Sequence, residues 1–600
     1  MGKSKRKAGK RLSQKELVKK LQELFEENPD VLFSMKDVFR ILRFNTHPLK
    51  MLTIDILDEM SLDGYLDRVA DNKFRLSAVG KEFLKKKEEE KMRKRFGVVG
   101  EKLDDDTVMH AILEEYGLPY DYPKKVEKAA EEIDPTITAQ DYAEREDFRD
   151  VLTFTIDPKD AKDFDDALSI RKIKNGLWEV GVHIADVSHY VTENSIIDME
   201  ARKRATSVYL VDRTIPMLPE RLCNFICSLR PDEEKLAYSV IFDMNEDAEV
   251  LKWRLVHTVI KSNRRYAYEE VQEILEGKQG DYADELRVLD SLAKKLRDKR
   301  FEDGAINFNS EELHFDVDEN GKPIAVHYKI ATDATKLIEE FMLLANRTVA
   351  ESVGKVKRGQ RKKTLPYRIH DNPDLEKLEN LREFIMKFGY KLKTNGSKEK
   401  IAHSLNSLMD ECAGKGEQKL IEMVALRAMM KAKYSVHNIG HFGLAFDYYT
   451  HFTSPIRRYP DTMVHRLMTA YQQGAKSADA DYYEDLCEHS SEMEVIATQA
   501  ERASIKYKEV EFLSDKIGEE FDAHITSITE WGVFCEIDEN HCEGMIPMRE
   551  FDDDYYEFDE KNYCLRGVRY HNKYSLGDPI RVLIQKANLE KRQINFALIK

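Results

Sequence analysis

Apolar and polar positions along this chain change period several times, and each change marks a predicted element. Over the first eighty residues the apolar positions recur mostly every three or four residues, the spacing of one helix face. Ser13 can cap a helix over 14–27, Ser34 can cap a second short one, and Pro48 opens a third to about Met60. Tyr65–Val69, a turn at Asp71-Asn72 and Lys73–Ser77 then read as strand, turn, strand. Three helices and such a pair predict a winged helix. Modules of this kind bind nucleic acid in some proteins and only pack against partners in others, and the residues leave both open.

The next change of period comes at Val151–Ile156, an apolar run predicted as a strand. Runs 168–173 and 177–184 flank Asn175-Gly176, the strongest short-range signal for a hairpin. Runs 237–242 and 250–260 form a second hairpin around 245–247, and 301–315 and 324–330 add further strands. Helical spacing returns over 335–353, 375–388, 401–410, 418–433, 459–473 and 482–513. The expected fold is α+β, with helices gathered beside an antiparallel sheet. From Gly518 the period is two again, over 521–528, 531–537, 543–547, 579–585 and 593–598. Five short strands predict an OB-fold β-barrel, whose strand face commonly binds oligonucleotides. The predicted order is a basic disordered arm (1–12), a winged helix (13–83), a charged linker (84–107), the main domain (108–515) and the barrel (516–600).

Composition narrows the class. At 600 residues the chain has room for roughly three to five domains. Hydrophobic content of 42% against 34% charged residues suits a soluble protein. The apolar runs are too short to span a bilayer and no signal-peptide pattern opens the chain, so a cytoplasmic location with no membrane partner is expected. The seven cysteines form no CxxC pair and read as reduced thiols. A net charge of −16 argues mildly against nucleic acid, yet Met1–Lys20 carries nine Lys/Arg against one Glu, and Lys85–Arg95 is rich in both. Charge alone decides nothing.

The candidate chemistry sits in Thr155–Ala167. It places Asp157, Asp163, Asp165 and Asp166 close together on a loop at the end of a strand, with Asp160 as a fifth acid. Two unit charges at 4 Å repel by roughly 4 kcal/mol at an effective dielectric of about 20. Either the loop splays into water or it holds a divalent cation, and oxygen-only ligands favour Mg²⁺ or Mn²⁺ over zinc. A calcium hand is excluded, because counting from Asp163 puts Leu168 and Lys174 where Gly and an acid are required. His183, Asp186 and His189 share a spacing of three, which in a strand sends successive side chains to opposite faces, so structural roles are expected.

Thr155–Ala167, His183–Ser188 and His451–Asp461 together closely resemble the ribonuclease II/R family of 3′→5′ exoribonucleases, and Gly518–Ile537 resembles the start of an S1 RNA-binding domain. The N-terminal winged helix points to the ribonuclease R branch. The resemblance implies a Mg²⁺-dependent enzyme, with Mn²⁺ as an alternative, that degrades single-stranded RNA processively to nucleoside 5′-monophosphates in RNA turnover and quality control. It assigns Asp157, Asp163, Asp165 and Asp166 to metal and catalysis, and Arg457 to the scissile phosphate, with Arg458 second. Tyr209 and Phe315 resemble an aromatic pair that sandwiches terminal bases, Glu340 a glutamate near the 3′ nucleotide, and Glu501 another near the active site. Phe521, Phe534 and His524 could form a stacking platform or simply fill the barrel. A monomer is expected, with ribosomal or RNA-decay partners reached through the winged helix.

One departure stands out. The family usually carries two cold-shock barrels between winged helix and nuclease domain, and residues 84–107 are too few for even one. Two rivals remain: a non-enzymatic RNA-binding regulator, which would have lost the aspartates or Arg457, and a deoxyribonuclease.

Overall fold

The computed structural model describes residues 14–26, 28–29, 31–44, 46–70, 72–83, 97–99, 104–307, 312–319, 321–356, 359, 361–559 and 564–599. The expected basic arm, the Ser13 cap and most of the expected linker lie outside these. The chain divides into two compact units, residues 1–98 and 99–600.

In the first unit, helices Gln14–Glu26, Met35–Ile41 and His47–Leu62 stand with a three-stranded sheet of Phe33–Ser34, Lys73–Leu76 and Leu66–Ala70. Ser34 caps its helix as expected: its hydroxyl accepts from the Asp37 amide while Asp37 accepts from the Ser34 amide, a reciprocal box. Leu17, Phe25, Val38, Leu57 and Phe74 form the core.

The second unit is built on a seven-stranded sheet. Its order is Arg264–Ala267, Thr153–Asp157, Asp166–Lys172, Trp178–Ala185, Glu234–Met244, Val250–Lys261 and Glu146–Phe148. The Asn-Gly turn is where the sequence puts it: Asn175 and Gly176 both adopt positive φ, 63° and 75°, between paired Lys172 and Trp178. The sheet is mixed rather than antiparallel. Both edge strands run parallel to their neighbours, Arg264–Ala267 beside Thr153–Asp157 and Glu146–Phe148 beside Val250–Lys261. Each reaches its place after a reversal or a long excursion of the chain, which local periodicity does not encode.

His183 lies at the sheet's centre, fully buried, bonded to Ser239 Oγ on one neighbouring strand (2.7 Å) and Ser169 Oγ on the other (2.8 Å). Burial drives its pKa down to about 3, so it stays neutral. A Cβ at Gly181 would collide with that His183–Ser169 pair. Asp186 is instead held by Arg145 (2.8 Å) and His257 (3.0 Å).

Two helices, Tyr268–Leu275 and Ala283–Glu302, occupy a stretch with no helix in the sequence reading, and Phe301 ends the second rather than opening a strand. The strands here are Glu312–Val317 and Pro323–Lys329, which form a hairpin. The later helices lie close to expectation, including Asp333–Gly354, Tyr459–Gln472 and the 35-residue Ala480–Ser514. On that last helix Lys508 is completely buried. Its ammonium reaches Asp105 (2.7 Å), Glu511 (2.9 Å) and the Gly321 carbonyl (2.7 Å) at the hairpin's turn. Beyond it Glu520–Thr529, Gly532–Ile537, Glu543–Pro547, Gln593–Leu598 and Pro579–Asn588 pair in sequence, and the first also pairs with the last, closing the sheet on itself. A separate three-stranded sheet, Tyr556–Asp559, Cys564–Gly567 and Lys573–Ser575, has no counterpart in the sequence reading.

Candidate active site

Asp157 ends one central strand and Asp166 begins the next, so the intervening loop returns to the same edge of the sheet. Backbone and hydroxyl contacts pin it there. The Phe164 amide donates to Ser228 Oγ (3.0 Å), the Ser228 hydroxyl donates to the Lys162 carbonyl (2.8 Å), and the Ala185 amide donates to the Asp165 carbonyl (2.9 Å). Asp165 is buried, Asp157, Asp163 and Asp166 are half-buried, and Asp160 faces solvent.

The second half of the site arrives from far along the chain. The Ile456 amide donates to Asp165 Oδ1 (2.8 Å), 291 positions away, and Arg457 Nε lies 3.7 Å from Asp165 Oδ2. Arg457 is anchored to Ser454 Oγ (3.1 Å) but remains 42% exposed, so its guanidinium can still face a ligand. Arg458, at the N-terminus of Tyr459–Gln472, makes both its bonds to Asp461, 2.9 and 2.8 Å. Asp461 in turn accepts from the Ser454 amide (2.8 Å), which fixes the turn that presents Arg457.

Electrostatics follow from this crowding. Burial raises all four carboxyl pKa values, and for Asp157 the neighbouring Asp166 charge adds to it. Arg457 opposes the rise at Asp163, Asp165 and Asp166. Asp157 Oδ2 is buried with no hydrogen-bond partner. An orphaned carboxylate oxygen among hard oxygen donors is what a divalent cation satisfies. Among the described residues, the only trio whose ligand atoms all approach within 4.8 Å is His314, Asp316 and His327, so the aspartates do not build a closed cage.

Tyr209 lies beside this cluster. The Ser207 amide donates to the Arg457 carbonyl (3.0 Å), which ties its strand to the arginine segment. Tyr209 is 39% exposed overall, while burial raises its phenol pKa, with Arg457 opposing and Asp163 and Asp165 adding. Tyr268 was missed by sequence reasoning. It follows Ala267, which pairs with Asp157 across the parallel strands, and its phenol is raised by burial and then by Asp166 and Asp157. No local signal marks it, because the parallel pairing puts it there.

Three of the expected RNA contacts have other surroundings or partners in this structure. Phe315 is only 4% exposed on its hairpin, so its ring offers no open stacking face. Glu340 is buried and its carboxylate is taken by Arg300, beside a cavity of about 610 Å³. Arg458 gives its Nε and one Nη to Asp461, and its charge also lowers the Asp166 pKa. Glu501 is exposed on the long helix, and Phe521 and Phe534 are half-buried on adjoining strands of the closed sheet.

The RNB domain family matches residues 145–474 and the S1 RNA binding domain family matches 514–599. An RNB domain followed by an S1 domain, with ribonuclease R relatives, makes this an exoribonuclease. The chain belongs to the RNB family, and its relatives are ribonuclease R proteins. It is 38% identical over 515 residues to ribonuclease R of Aquifex aeolicus, covering 84% of this chain and 72% of that one. It is 37% identical over 517 residues to ribonuclease R 1 of Lactococcus lactis, covering 83% and 62%. Among solved structures it is similar to Mycoplasma genitalium RNase R in complex with ribose methylated single-stranded RNA, with 28% identity, a TM-score of 0.77, and 84% and 79% covered. Nucleases of this family depend on a metal.

Proposed function

We propose that this protein threads single-stranded RNA and hydrolyses it processively from the 3′ end to nucleoside 5′-monophosphates. Mg²⁺ held at Asp157, Asp163, Asp165 and Asp166, with Mn²⁺ as a substitute, would activate water and stabilise the leaving 3′ oxygen. The carrying observation is the gathering of three pKa-raised carboxylates, Asp163, Asp165 and Asp166, around the partly exposed guanidinium of Arg457, with Asp157 beside Asp166.

Arg457 clamps the scissile phosphate with a planar fork that lysine cannot reproduce. Asp165, its Oδ1 held by the Ile456 amide, sets its Oδ2 3.7 Å from Arg457 Nε and so helps to place that guanidinium. Tyr209 supplies a face for a terminal base, and Phe521 and Phe534 of the S1 domain grip the strand upstream, stacking being tolerant of sequence. The N-terminal unit acts as a winged helix for RNA or for ribosomal and decay partners.

Without the cold-shock pair, RNA binding is weaker and more salt-sensitive while the chemical step is intact. A digest of 3′-end and 5′-end labelled RNA with Mg²⁺, controlled by EDTA and by a matched DNA oligomer, tests the reading. Label released first from the 3′ end, as mononucleotide and from RNA only, is the expected outcome; endonucleolytic fragments or cleavage in EDTA would overturn it.

A further inference from the structure

We propose that the hairpin of Glu312–Val317 and Pro323–Lys329 carries a transition-metal site, His314–Asp316–His327, separate from the catalytic acids. The register builds it. His314 and His327 are direct partners across the two strands, and Asp316 follows His314 by two, on the same face. Their ring centroids are 5.2 Å apart, and His327 Nδ1 lies 3.7 Å from Asp316 Oδ2. One ligand atom from each lies within 4.8 Å of the other two.

The opposite face explains why this one is held out to solvent. Phe315, between the two ligands of its strand, is buried. Tyr328, next to His327, donates to Glu536 Oε1 (2.9 Å) and stacks on His541 of the S1 domain at 4.1 Å. The Gly321 carbonyl at the turn accepts from buried Lys508. The hairpin is thus clamped from one side and cannot roll, and all three ligand side chains are exposed on the other.

Two imidazoles and one carboxylate are the donors of zinc, nickel or copper, not of Mg²⁺. Three protein ligands leave a fourth, tetrahedral position for water. Around a zinc ion with bonds of about 2.0–2.1 Å, ligand atoms sit about 3.3 Å apart. Closing from the present spread asks for small rotations of exposed side chains, with no backbone change. Bound metal would cross-link the two strands.

The full chain, stripped with EDTA and dialysed, is titrated with zinc by calorimetry and with cobalt by visible absorption. The same titrations are run on Asp165→Asn and on the His314→Ala/His327→Ala double variant. Expected are one equivalent bound by wild type and by Asp165→Asn with nitrogen-ligated cobalt bands, and at least a tenfold weaker affinity with loss of those bands in the double variant. Mg²⁺-dependent turnover of a short oligomer stays unchanged in the double variant. If it folds poorly, shifts of the His314 and His327 ring signals on adding zinc to wild-type protein decide the matter. Equal zinc affinity in a folded double variant, or unmoved ring signals, would overturn the site.

Discussion

Arg457 and Arg458 are neighbours in the chain with opposite commitments: Arg457 Nε lies 3.7 Å from Asp165 Oδ2 and its side chain stays 42% exposed, whereas Arg458 is bonded twice to buried Asp461. One guanidinium is available to a ligand and the other is spent on holding the turn.

Exchanging them therefore separates activity from stability. Arg457→Ala and Arg457→Lys are each expected to lower kcat/KM on single-stranded RNA by about 10²-fold with Tm unchanged, since neither keeps the fork. Arg458→Ala leaves Asp461 buried and unpaired, at a cost of about 3–5 kcal/mol. Denaturant titrations beside steady-state kinetics check both. Equal effects of the two alanine substitutions on Tm would refute the division.

Asp165→Asn keeps an oxygen able to accept from the Ile456 amide, so the fold and RNA binding survive. Turnover is expected to fall at least about a hundredfold, because the charge is lost where metal and Arg457 meet. Single-turnover kinetics and a filter-binding assay read the two separately, and near-normal turnover would remove Asp165 from the site.

The carboxylates also set a pH dependence. Burial and then Asp166 raise Asp157 from 3.8 up to about 8. Between those values the folded, metal-free protein holds a proton that the unfolded chain has released, so stability falls as pH rises through the window. Thermal scans in EDTA should give a lower Tm at about pH 8 than at about pH 5 from this group, and Asp157→Asn should flatten the slope. Added Mg²⁺ competes with protons, so its stabilisation grows with pH. A Mg²⁺ effect independent of pH would contradict the assignment.

Glu340 offers a choice between two roles. The buried pair with Arg300 predicts that Glu340→Ala destabilises the protein by about 3–5 kcal/mol, by leaving the arginine uncompensated. A thermodynamic cycle with Arg300→Ala measures the coupling. An unchanged Tm with a raised KM would return Glu340 to the nucleotide.

What could be read from the residues is what is local. The Asn175-Gly176 turn, the acids at a strand's end and the five runs of the closed sheet all declare themselves within about ten positions. What could not be read depends on partners hundreds of residues away. The parallel pairing that sets Ala267 against Asp157, with Tyr268 next to it, and the Ile456 amide on Asp165 leave no periodic trace. Glu340 shows the same limit from the other side: its resemblance to a family glutamate is legible, but Arg300 as its partner is not, because no periodic signal marks the helix carrying Arg300.

The 291-residue gap between Asp165 and the amide that orients it has a consequence for how the enzyme is born. A nascent polypeptide has its acid loop long before Ile456 and Arg457 leave the exit tunnel. Until then no folding intermediate can bring Asp165 to that amide or to Arg457, so under the proposed roles the growing chain is catalytically silent beside the very message that encodes it.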